Sequence, residues 1–252
     1  MENLNANTPA PLALYHQVLQ AVSGRTSGLN LAELVKATGL PRSSAHRLAA
    51  ALCGVGYLTD TAGQYELGPA LRELLRRSLT ADSRLRAFQP ALQFLASELK
   101  ETAFFARFVD GTVDLAHAVA PAQTERSYIY PGTGERPLDT CSSSKAILAW
   151  TDTRTVQALY ESGSLPHDAG SWRGFLGTLE QVHRDGYAVC DGEIDEGAFS
   201  LACPVPVGPM LGLFSIGVVG PSARMKQMEL SHLVEVVKAA ATMASSRLLK
   251  EA

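Results

Sequence analysis

A chain of 252 residues, 46% hydrophobic and 19% charged, has room for one small and one larger domain and the composition of an ordinary globular protein. No stretch approaches the roughly 20 apolar residues of a membrane helix, and Met1–Pro11 has neither the charged start nor the apolar run of a secretory leader. It reads as a frayed tail, so a cytoplasmic location and no membrane partner are expected. The net charge of −3 is unevenly spread: nine basic and six acidic residues in 1–86 leave that head at +3 and the remaining body at −6.

In chain order, Leu12–Val22 has apolar residues at helical spacing and Gly24 ends it. Asn30 is an N-cap for a second helix with the stripe Leu31, Leu34 and Val35, stopping at Thr38-Gly39. Pro41 starts a third helix that runs to about Cys53, with Gly54 and Gly56 marking its end. Tyr57-Leu58-Thr59 and Gln64–Leu67 flank Asp60-Thr61-Ala62-Gly63 and predict a hairpin. A Leu- and Arg-rich linker helix follows Gly68-Pro69 and ends near Ala81.

From Leu85 the pattern changes. A helix over Leu85–Leu99 precedes strands over Ala103–Val109 and Val113–Val119, joined through Asp110-Gly111, a strong hairpin signal. Further helices are predicted over Ser143–Trp150, Arg154–Glu161 and Trp172–Arg184, and further strands over Ala188–Cys190, Ser200–Val207 and Leu211–Val219. Met225–Leu249 closes the chain as a long helix. The class is therefore α+β, divided into a head over 1–68, a linker helix over 69–84 and a mixed-sheet body over 85–252.

Cys53, Cys141, Cys190 and Cys203 form no C-x-x-C pair and have no histidine at ligand spacing. Buried or pocket-lining thiols are expected rather than zinc or disulfides, and no metal or cofactor is called for.

On a helical wheel of the third helix, Ala45, Leu48, Ala49 and Leu52 gather on one side. Ser43, Arg47 and Ala50 face the other way, with Ser44 and His46 on the flanks. That polar face has major-groove chemistry: arginine pairs with guanine in bidentate fashion and serine reaches base edges or phosphates. The helix start at Arg42 and Ser43 offers free N–H groups to a phosphate. The hairpin would be a wing, with Thr61 and Gln64 near its tip, so double-stranded DNA is the expected partner.

Leu31-Ala32-Glu33-Leu34 and Ala37–Leu48 resemble the helix-turn-helix of IclR-type regulators, and Gly56-Tyr57 with Tyr65–Gly68 is similar to that family's wing. The resemblance puts the DNA-contacting helix on Arg42–Arg47 and matches Arg25 to a common family position with a phosphate role. It continues through Pro137–Ala146 and through Gly186–Val189 with Asp191, Glu193, Glu196 and Gly197, and so covers nearly the whole chain. It implies a winged helix-turn-helix joined to a GAF-like α/β effector domain, a small metabolite effector, and a homodimer or a tetramer built as a dimer of dimers.

Cys141-Ser142-Ser143-Ser144, just before a helix, supplies hydroxyls and N–H donors that suit a carboxylate, and reads equally as an ordinary serine cap. Against the family pattern, Cys190 stands where some relatives have an acid, Ser200 where a cysteine is frequent, and Gly217 and Val219 where hydroxyls occur. The expected effector site is therefore Cys141, Ser142, Ser143, Cys190, Ser200, Gly217 and Val219, less polar and roomier, suited to an acid with an apolar or aromatic part.

Two other classes compete. Ser142-x-x-Lys145 fits the S-x-x-K pattern of serine acyltransferases, but the partner motifs S-D-N and K-T-G are absent, as is a G-x-S-x-G elbow. Asp191, Glu193, Asp195 and Glu196 read as a solvated acidic turn, without the glycine spacing of a calcium loop. A ligand-free architectural DNA binder would not need so large a mixed body. A DNA-binding regulator tuned by a metabolite, and not an enzyme, is the expectation.

Overall fold

The computed structural model describes residues 10–24, 28–78, 80–122, 126–165, 172–207 and 211–251. The chain divides into two compact units, Met1–Ser78 and Leu79–Ala252.

The first unit holds α1 (Ala10–Ser23), β1 (Leu29–Asn30), α2 (Leu31–Thr38), α3 (Arg42–Gly54), β2 (Leu58–Thr61), β3 (Gln64–Leu67) and α4 (Pro69–Ser78). Asn30 caps α2 with a complete capping box: Glu33 N–H donates to Asn30 Oδ1 at 3.0 Å and Asn30 N–H donates to Glu33 Oε2 at 2.9 Å. Gly39 closes α2 in the left-handed region, φ 69°, and its N–H donates to the Val35 carbonyl. Val18, Leu29, Leu34, Leu48, Leu52 and Tyr65 are buried together and fasten the three helices to the hairpin. Ala62 and Gly63 both have positive φ, 54° and 82°, which makes the tight mirror-image turn that matches strand twist. The sheet gains a third strand that the sequence reading lacks: β1 pairs antiparallel with β3, Leu29 opposite Tyr65.

The second unit holds α5 (Ala81–Leu99), β4 (Thr102–Val109), β5 (Thr112–Val119), β6 (Gly134–Arg136), α6 (Ser142–Leu148), α7 (Thr153–Glu161), α8 (Trp172–Asp185), β7 (Ala188–Asp191), β8 (Ala198–Pro204), β9 (Phe214–Pro221), α9 (Ser222–Met225) and α10 (Leu230–Glu251). Its six strands among the described residues form one antiparallel sheet in the order β6-β5-β4-β9-β8-β7. The period-two alternation of β4 divides the two layers. Phe105 stacks on Phe88 of α5 with ring centroids 4.2 Å apart, and α5 packs along α10 on that face. Phe104 and Ala106 point the other way, into clusters with Ala146 and Ile147 of α6.

The elements depart furthest from expectation at α5, β6 and α10, while β8 and β9 are shifted by two to three residues at each end. The helix predicted from Leu85 begins at Ala81, because the Thr80 side chain accepts from Ser83 N–H and caps it there. β6 is new: a strand of three residues has no period of its own and exists by pairing with β5. The closing helix starts at Leu230 rather than Met225, which instead ends the short α9.

Candidate functional site

Two surfaces carry chemistry. On α3, Ala45, Leu48, Ala49 and Leu52 are buried, while Arg42, Ser43, His46, Arg47 and Ala50 are exposed and Ser44 is half-buried. The wheel's division is therefore the observed one. Among the described residues no side chain caps α3 behind Pro41, which leaves its first N–H groups open to an anion there. Gln64 opens β3 beside the two-residue turn, half-buried, opposite Thr61 and Asn30. The turn is set by Gly63 N–H donating to Asp60 Oδ1 at 2.8 Å. Arg25 lies outside the described residues.

In the second unit a cavity of about 150 Å³ opens on the α6 side of the sheet. Cys141, Cys190, Ser200 and Val219 line it, as the sequence reading groups them, together with Phe104, Leu115 and Ile129. Burial pushes the Cys190 thiol pKa up, and the Glu193 carboxylate adds to that.

Ser142, Ser143 and Gly217 are not in this lining. Ser142 is fully buried with its hydroxyl 2.7 Å from Ser200 Oγ, and Ser143 is fully buried with its hydroxyl 3.1 Å from Cys141 Sγ. These hydroxyls are engaged with side chains behind the wall. Gly217 does not enlarge the cavity either: a Cβ there would collide with the Leu201 carbonyl of β8 and come within 2.7 Å of the Phe104 ring. Gly217 is what allows β9 to pack against both.

Two of the four candidate carboxylates and the lysine of the S-x-x-K match are held in ion pairs. Lys145, buried, donates to both oxygens of Glu193 at 2.8 and 2.9 Å, and Lys226 meets Asp191 at 2.7 Å. Lys145 is thus paired with a carboxylate, while the Ser142 hydroxyl is paired with Ser200.

Arg136 is the residue that sequence reasoning missed. It ends β6 and is the one basic side chain among the cavity's described lining. Its Nη2 donates to the carbonyls of Pro131 at 2.7 Å and Gly132 at 2.8 Å, while its buried Nε has no partner among the described residues. The only sequence signal was an arginine between Gly134 and Pro137, which carries no period. A broader hollow of about 420 Å³ lies on the α5 side; its Arg107 is already bound to Asp114 at 3.0 Å, and it gathers none of the expected site residues.

Residues 16–61 match the IclR helix-turn-helix domain, and residues 79–246 match the domain described as bacterial transcriptional regulator IclR C-terminal. The chain belongs to the IclR family. It is similar to the HTH-type transcriptional regulator TtgV of Pseudomonas putida (27% identical, 84% of this chain and 82% of that one). It is also similar to the HTH-type transcriptional regulator KipR of Bacillus subtilis (26%, 98% and 99%). Among solved structures, Pseudomonas aeruginosa HmgR superposes with a TM-score of 0.58 (22% identical, 95% and 98% covered). An IclR homolog from Microbacterium hydrocarbonoxydans, solved with 4-hydroxybenzoate, superposes at 0.56 (21%, 95% and 99%). Both carry the same overall fold. Like its IclR relatives this chain is a DNA-binding transcriptional regulator and not an enzyme. No helix among its described residues is long and apolar enough to cross a membrane.

Proposed function

We propose that this IclR-family regulator reads an operator with α3 and changes its operator affinity when a small carboxylic acid, aromatic or otherwise apolar in its body, enters the cavity beside α6. The observation that carries the DNA half is the exposed Ser43, His46 and Arg47 face opposite a fully apolar one. Arg47 and His46 meet base edges, Arg42, Ser43, Ser44 and Arg25 take phosphates or edges, and Gln64 works from the wing.

The cavity volume supports the effector half: about 150 Å³ suits a single six-membered ring. Its lining is mostly apolar with a few polar groups, the usual make-up of a small-molecule site. The 4-hydroxybenzoate in one related structure supports the same class of ligand. Cys141, Cys190, Ser200 and Val219 touch the effector, with Ser142, Ser143 and Gly217 shaping the wall behind them. The functional division is a head over 1–68, a linker over 69–84 and an effector domain over 85–252, in a cytoplasmic homodimer or tetramer. Ligand preference for one arrangement of the effector domains then changes operator affinity by linkage.

The test is DNA binding by Arg47→Ala. Loss of one base-reading arginine weakens the specific site by roughly 10- to 100-fold, with little change on random DNA. Equal weakening on both would reduce Arg47 to a phosphate contact, and no change on either would remove α3 from the interface.

A further inference from the structure

An acid in this cavity needs a group that pairs with its carboxylate. We propose that Arg136 is that group, its Nε–H aimed at an effector carboxylate; the proposal rests on the effector reading above. The Ser142 and Ser143 hydroxyls do not compete for the role, because they are fully buried on Ser200 and Cys141, and Ser144, also fully buried, lies outside the lining.

Three observations carry it. Arg136 is the single basic residue among the described residues of the lining, whose one acid, Asp195, is exposed. The guanidinium is held in place from behind: Nη2 donates to both the Pro131 and Gly132 carbonyls, and Pro131 itself lines the cavity. Holding one nitrogen by main-chain carbonyls fixes the plane of the group, so its remaining donors have a set direction. Nε is among those remaining donors, and it is buried with no partner among the described residues. A buried charged donor is satisfied in nearly every folded protein, so an orphaned one at a cavity wall marks where an acceptor belongs.

The geometry also orients the ligand. A carboxylate at Arg136 sits at the β6 end of the cavity, and the apolar body then extends over Phe104, Leu115 and Val219. Cys190 and Ser200 remain to meet substituents on the body. Selectivity follows: an acid is preferred over its neutral amide because only the acid neutralises the guanidinium.

The experiment is calorimetric titration of the full-length protein with benzoate and phenylacetate and with the corresponding primary amides. Wild type is compared with Arg136→Gln, which keeps N–H donors for the Pro131 and Gly132 carbonyls, and with Arg136→Lys. Melting curves establish that each variant is folded. The expected result is that wild type binds at least one acid more tightly than its amide. Arg136→Gln then weakens the acid by roughly tenfold or more and leaves the amide unchanged, and Arg136→Lys recovers part of the loss. Unchanged acid affinity in Arg136→Gln overturns the role of Arg136 while the acid effector stands. A wild-type protein that binds the amides as well as the acids, or binds neither, overturns the acid reading itself and this assignment with it. If neither variant folds, the comparison moves to wild type against pH: acid binding that strengthens as the ligand's own carboxyl ionises supports an anchor for the anion, and pH-independent binding overturns it.

Discussion

Ser142 and Ser200 meet hydroxyl to hydroxyl at 2.7 Å, joining the first residue of α6 to the third residue of β8 directly behind the cavity wall. Removing either hydroxyl leaves the other without its partner. Ser142→Ala or Ser200→Ala alone is expected to cost about 1–2 kcal/mol in urea unfolding. The double variant should cost little more than one single, giving a clear coupling in the double-mutant cycle. Additive losses would mean that the contact contributes nothing.

Glu101 is fully buried and receives two bonds from Arg224: Nε to Oε1 at 2.6 Å and Nη2 to Oε2 at 2.9 Å. The same Nη2 also reaches the Ser127 carbonyl at 3.0 Å. Hydrogen bonding to Glu101 raises the Arg224 pKa. Arg224→Leu strands a buried carboxylate and is expected to lose about 3–5 kcal/mol. Adding Glu101→Gln in the same chain should restore a part of that. Chemical denaturation of the two variants measures both numbers.

Cys203 lies in β8 and burial pushes its thiol up to about 12. The unfolded thiol ionises nearer its ordinary value of 9.0, so between the two the unfolded chain loses a proton that the folded one keeps. Stability from this group is complete below pH 9 and is lost as pH rises toward 12. The slope approaches about 1.4 kcal/mol per pH unit in that window. The difference between wild type and Cys203→Ala, followed by denaturation at pH 8 and at pH 10.5, should shrink at the higher pH. A constant difference contradicts the shift. Native Cys203 should also resist alkylation at pH 8.

Lys145 is nearly buried and its ammonium is held by both Glu193 oxygens. Glu193→Gln leaves that charge without a counter-charge and is expected to cost roughly 1–3 kcal/mol, moderated because Glu193 is itself part-exposed. Lys145→Met removes the charge and should cost less. The reverse order in denaturant midpoints would mean that the lysine is solvated in the folded state.

Local signals made much of the fold legible. Asn30, read as an N-cap, is one, with Glu33 completing the box, and the wheel of α3 sorts Ala45, Leu48 and Leu52 from Ser43 and Arg47 as observed. Asp110-Gly111 read as a hairpin turn, and both residues have the positive φ, 49° and 86°, that such a turn needs. The misses are non-local. β1 and β6 are two and three residues long and exist through pairing with β3 and β5. Phe104, Leu115 and Ile129 line a cavity in the same residue types that fill a core. The serine run of α6 has the right chemistry for an anion, but strand β8 brings Ser200 against it and takes up one hydroxyl. Arg136 draws its meaning from two carbonyls four and five residues back and from a cavity wall built by distant strands.

Metabolite-tuned operator binding is tested most directly by selection and sequencing of genomic DNA fragments with the full-length protein. It is run with and without benzoate and phenylacetate at two salt concentrations. The expected result is a discrete site with two related half-sites whose occupancy changes with an acid in wild type and no longer changes in Arg136→Gln. Weak, salt-sensitive binding to any fragment, unaltered by either acid, would contradict it.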